Sequence, residues 1–169
     1  MGRSVMVRLR VLALVGPLVF YVLMWCVTLS WVEILPNPVA VQWGSTGVTN
    51  TNSLVSFYGL FAAGVVVPGA VGFLATITSD RGARRVCTGL AVMLSVVLSG
   101  MPMVIVSGQR HLPDASASSV HLAAMGIVAA IGVGLGIAAG YLVDPAVAGD
   151  EKSEETLKSR YRLQWRSGQ

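Results

Sequence analysis

Between Glu33 and Asp80 the chain carries no formally charged residue, and three further uncharged stretches, Val11 to Val32, Val86 to Gln109 and Ala115 to Val143, lie on either side. A soluble domain places charge on about a quarter of its residues. Here the charged share is 12% and the mean hydropathy is +0.70. Long neutral stretches of this kind point to an all-α, polytopic membrane protein.

A helix rises about 1.5 Å per residue and the hydrocarbon core is about 30 Å thick, so a crossing needs roughly 20 apolar residues. Four spans satisfy this: Val11 to Val32, Leu54 to Thr78, Val86 to Val106 and Val120 to Val143. The stretch after Glu33 holds only one span, because Pro36, Pro38, Gly44, Gly47, Asn50 and Asn52 fill its first half with loop chemistry. A four-helix domain over 11–143 follows, between an N-terminal segment 1–10 and a tail 144–169.

Basic residues set the orientation, since Lys and Arg in short loops stay on the cytoplasmic side. Arg3, Arg8 and Arg10 precede span one; Arg81, Arg84 and Arg85 lie in the 79–85 connection; Lys152, Lys158, Arg160, Arg162 and Arg166 follow span four. Of the 12 lysines and arginines, only Arg110 falls on the other side. Both termini are therefore expected in the cytoplasm, with loops 33–53 and 107–119 outside. The net charge of +4 is accounted for by this orientation and by attraction to anionic lipid, with no nucleic-acid partner. A cleaved signal peptide is the rival for the first stretch, but its apolar run is too long and no small-x-small cleavage site follows it near Trp31.

The span interiors contain no Asp, Glu, Lys or Arg, which disfavours an ion-coupled pump or an intramembrane protease. Glu33 and His121, at span ends, are the only seeds for chemistry on lipid. The sequence therefore points to a non-enzymatic protein with no catalytic, cofactor or metal site. His111, Asp114 and His121 do not make a metal site, because structural zinc needs four ligands at tighter spacing. Cys26 and Cys87 fall at opposite ends of the spans, too far apart for a disulfide, and read as small apolar fillers.

Packing signals are stronger. Gly132, Gly136 and Gly140 recur every four residues on one face of span four and permit close helix approach, within the bundle or between copies. Pro17, Pro68 and Pro102 predict kinks in spans one, two and three. Thr28, Ser95 and Ser99 can bond back to carbonyls. Trp31, Trp43, Tyr58 and Tyr141 fit interfacial aromatic belts. In the tail, Leu157, Tyr161 and Trp165 fall at i, i+4 and i+8, a spacing open to a short amphipathic helix or to disorder.

The most individual stretch runs from Ile34 to Gly47. Two prolines hold an extended start, then Val39, Val41 and Trp43 alternate on one side, so this side is expected against the membrane surface or the bundle rim. Leu35, Pro36, Val39, Trp43 and Gly47, set between two spans, resemble the outer loop of the bacterial domain of unknown function 1648 family, a likeness covering roughly residues 10–75. Gln42 stands where that family usually carries His, and Val48, Thr49 and Asn50 replace the acid after the loop glycine, so titration or metal chemistry resting on those groups is absent here. The family also forms the N-terminal module of SdpI-type immunity and signalling proteins, which are larger. The resemblance implies an outward loop that recognises a peptide or membrane-protein partner, in a sensing, immunity-like or accessory role. The alternative is a small transport component that oligomerises through its glycine faces.

A reporter that works only in the cytoplasm, fused after Gln169, is expected to be active. Activity confined to a reporter of the cell exterior would invert the map.

Overall fold

The computed structural model describes residue 7, residues 9–119 and residues 121–143. The tail residues Leu157, Tyr161 and Trp165 lie outside the described residues.

Pro17 has no amide hydrogen, so the Ala13 carbonyl, four residues earlier, loses its usual helical donor. The chain widens into a π-helical turn, Val11–Val15, in which the Gly16 N–H bonds to the Val11 carbonyl, before continuing as α1, Gly16–Leu29. Gly72 of a neighbouring helix sits against the Ala13 carbonyl, so close that a side-chain carbon there would overlap the oxygen. On the other flank Ser95 Oγ donates to the Pro17 carbonyl at 2.6 Å.

The second apolar stretch, expected as one kinked helix, is two: α2, Leu54–Ala63, and α3, Val66–Ile77. Pro68 cannot donate to the carbonyl of Gly64, and the backbone tightens there instead, with the Val65 N–H going to Ala62 at 3.3 Å. In an unbroken helix that N–H would reach Phe61. The Phe61 carbonyl accepts instead from the Gly64 N–H at 3.1 Å and from the Tyr21 hydroxyl of α1 at 2.5 Å, and the Tyr21 oxygen occupies the space a side chain at Gly64 would need.

A long helix, α4, Arg81–Ser107, runs through the centre of the bundle and packs on α1, α3 and α5, Leu122–Val143. It begins before Val86 because Asp80 caps it, its Oδ1 accepting from the Ala83 N–H at 2.6 Å. Arg81, Arg84 and Arg85 thus form its first turns, and the connection shrinks to Thr78–Asp80. One face of α4 buries Thr88, Ser95 and Ser99.

Its other face meets α5 through glycine. A side-chain carbon on Gly136 would stand 2.6 Å from the Gly89 carbonyl oxygen, and one on Gly89 would stand 2.8 Å from that of Gly136. Gly140 faces the Arg85 carbonyl in the same way, while Gly132 makes room for the Val97 side chain. The spaced glycines of α5 therefore lie within the bundle, where backbone contact replaces side-chain packing.

Buried apolar side chains gather at the two ends. Leu9, Ala13, Ala75 and Val143 form a small cluster at the arginine end. Tyr21, Leu35, Val39, Phe57, Tyr58, Phe61 and Val106 form a larger one at the opposite end, called the cap end here. Tyr58, expected as an interfacial anchor, is buried, and its hydroxyl donates to the Thr28 carbonyl at 2.6 Å. Elsewhere the outside is apolar: Leu60, Val66, Phe73, Ile77, Ile127, Ile131 and Ile137 are all more than half exposed. Four helical stretches, Val11–Leu29, Leu54–Ile77, Arg81–Ser107 and Leu122–Val143, are long and apolar enough to cross a membrane.

Gly136→Leu is expected to cost about 1–3 kcal/mol by forcing α5 off α4. Gly134→Leu, where nothing lies within 4 Å of the added carbon, should not destabilise, and the loss of a helix-interior glycine should add up to about 1 kcal/mol. Unfolding of the two variants in mild detergent reads the difference.

Candidate functional site

The loop after α1 folds into an antiparallel hairpin, β1, Val39–Gly44, and β2, Gly47–Asn52. Ser45 and Thr46 make the turn, and Gly47 at its end has φ +118°, a conformation that glycine adopts without strain. The Asn37–Pro38 peptide is cis. Asn37 Oδ1 accepts from the Leu54 N–H at 3.2 Å, which ties the start of the hairpin to its end.

Register shifts on both sides of Gln42 bend β1, and Val39 and Ala40, although consecutive, are both fully buried. Val39 turns into the cap-end core beside Leu35. Ala40 is covered at the strand edge by a side chain 69 residues away in sequence. Gln109, just beyond α4 and 1% exposed, accepts from the Ala40 N–H through Oε1 and donates to the Ala40 carbonyl through Nε2, both at 2.8 Å. The same Nε2 donates to the Ile105 carbonyl at 3.1 Å. One side-chain amide thus reproduces the hydrogen bonding of a missing third strand.

The 107–119 segment is stitched to the hairpin at further points. Trp43 Nε1 donates to the carbonyl and hydroxyl oxygens of Ser118, each at 3.2 Å. The His111 N–H donates to the Ile34 carbonyl at 2.8 Å, with His111 itself at φ 63°. The Arg110 guanidinium lies 4.7 Å from the centre of the Trp31 ring. Asp114 Oδ1 accepts from the Ser116 N–H at 2.6 Å, capping the short turn Ala115–Ala117. That bond holds the Asp114 carboxyl below its ordinary value. Because the shift is downward, its stabilising effect is complete above the ordinary carboxylate range and fades as pH falls.

The residues of the 35–47 loop pattern divide into two groups. Leu35, Pro36 and Val39 are buried, Trp43 is half-buried through its bond to Ser118, and Gly47 makes the turn. Gln42 is exposed, and with Thr49, Asn50 and Thr51 it gives the hairpin an uncharged polar surface. The alternation of Val39, Val41 and Trp43 therefore lies against the bundle rim.

Glu33 is exposed on a short 3-10 turn, Val32–Ile34, and exposed His121 lies against Gly108. Among the described residues no three His, Cys, Asp or Glu side chains group as a metal site, and both cysteines are free thiols. Gln109 was invisible to sequence reading, as a neutral side chain at a span end carries no mark of a distant partner. No family model, curated protein or solved structure matches this chain.

Gln109→Leu strips two buried groups of Ala40 of their partners, at about 1–3 kcal/mol for each group left unsatisfied. Amide hydrogen exchange should then accelerate at Ala40 while the middle of α4 stays protected.

Proposed function

We propose that this chain is a non-enzymatic, four-span protein of the bacterial cytoplasmic membrane, with both termini in the cytoplasm and the hairpin cap on the outer face. The cap is a recognition surface for a peptide or membrane-protein partner, in a sensing, immunity-like or accessory role. One observation carries this reading: hydrogen bonds from Gln109, Ser118 and Asn37 tie the hairpin to the bundle, yet its Gln42, Thr49, Asn50 and Thr51 surface is left exposed. Such a preorganised surface lowers the ordering cost of binding. The sorted arginines support the orientation, and the loop's resemblance to the domain of unknown function 1648 family supports the role.

The second reading is an oligomeric transport component. The Gly132, Gly136 and Gly140 face that first suggested it is covered by α4. A different stripe favours it: Gly126, Ala130, Gly134 and Ala138 recur every four residues along α5 and are exposed.

Cells expressing the protein are expected to survive a membrane-active peptide better than cells without it. Gln42→Ala with Thr49→Ala should remove that protection at unchanged protein level. Protection indifferent to both substitutions, or solute flux in reconstituted vesicles that fails in Gly134→Leu, would favour the second reading instead.

A further inference from the structure

At the arginine end, on the side of the α4–α5 contact away from the rest of the bundle, an open groove of about 570 Å³ runs between the two helices. It exists because of the glycines: Gly89, Gly136 and Gly140 bring the backbones together and leave no side chains to fill the seam. Leu90 and Ile137 form apolar walls, both exposed. The groove follows α4 from Gly82 to Met93. At 1.5 Å per residue that is about 16 Å, close to the ~15 Å that half of a 30 Å hydrocarbon core occupies.

The mouth of the groove has the opposite character. Arg85 and Tyr141 line it there, the guanidinium 5.9 Å from the centre of the Tyr141 ring, and Arg81 lies one helical turn away. A cation beside an interfacial tyrosine, above an apolar trough one leaflet deep, matches the two parts of an anionic lipid.

The geometry points to a binding site for one anionic phospholipid, its phosphate at Arg85 and one acyl chain lying along the Gly89–Gly136 seam. This rests on the helices being membrane spans and is independent of what the cap recognises. Basic pockets between helices on the cytoplasmic side attract anionic headgroups in this way. The apolar trough supplies the contact area, while Arg85 supplies the choice of headgroup.

The full chain, delipidated in neutral detergent, is exposed to equal amounts of phosphatidylglycerol and phosphatidylcholine carrying the same acyl chains, and bound lipid is counted by native mass spectrometry. Phosphatidylglycerol should be retained about fivefold over phosphatidylcholine, the preference expected from a single basic residue. Arg85→Gln should bring the two lipids to parity, and Arg85→Lys should keep the preference. Ile137→Trp, which obstructs the trough and leaves the cation in place, should lower retention of both. Equal retention by the native chain, a preference that survives Arg85→Gln, or retention indifferent to Ile137→Trp would overturn the site. So would a dimer that carries no lipid.

Discussion

Inside a bundle whose outer surface is apolar, a carbonyl that loses its helical donor must find another partner within the protein, because leaving it unpaired costs several kcal/mol. Pro17 and Pro68 each remove one such donor, and the backbone departs from the regular helix at both places. Pro17 deprives Ala13 of a donor, and the chain responds with a π-helical turn and with Gly72 approaching the freed oxygen. Pro68 leaves the Gly64 carbonyl to the Val67 N–H at 3.4 Å, at a break between α2 and α3 that the Tyr21 hydroxyl braces through the Phe61 carbonyl. Ser95 reaches from α4 to the Pro17 carbonyl, so the altered turn also locks two helices together. Each deviation from regular helix is thereby a point of specific contact between elements.

The α4–α5 contact works by the opposite means. Gly89 and Gly136 meet backbone to backbone, which brings two helices close with almost no side-chain volume between them. Dispersion and close approach, rather than the hydrophobic effect, drive such contacts where the surroundings are as apolar as the helices. The same scarcity of side chains leaves the seam open on one side, so tight packing and an apolar trough arise from one set of glycines.

The cap solves a strand-edge problem. A two-stranded hairpin is marginal by itself, and its outer edges present unpaired backbone groups. Gln109 closes the β1 edge at Ala40, and Val39 anchors the strand in the cap-end core. Leu35, Pro36 and Val39 stood out in the sequence as an individual pattern, yet their burial makes them supports of the cap, not its exposed surface. β2 was hidden as well, because Gly47, Asn50 and Asn52 are loop-forming residue types that form a strand here only beside β1. Candidate recognition residues could be drawn from sequence only as a segment, since which of them face outward depends on the bend at Gln42.

The four long apolar stretches were decided by the sequence alone, to within a few residues at their ends, because hydrophobic length is a local property that needs no partner; the division of the second into α2 and α3 was not. The α4 start at Arg81 departs from that reading because the Asp80 cap extends the helix back past the limit of the uncharged stretch. Tertiary structure decided which glycine stripe of α5 is covered, which tyrosine is buried, and that Gln109 would act as a strand. Those outcomes depend on pairings across tens of residues, Gly89 with Gly136, Tyr21 with Phe61 and Ala40 with Gln109, and composition and periodicity hold no record of such distant partners.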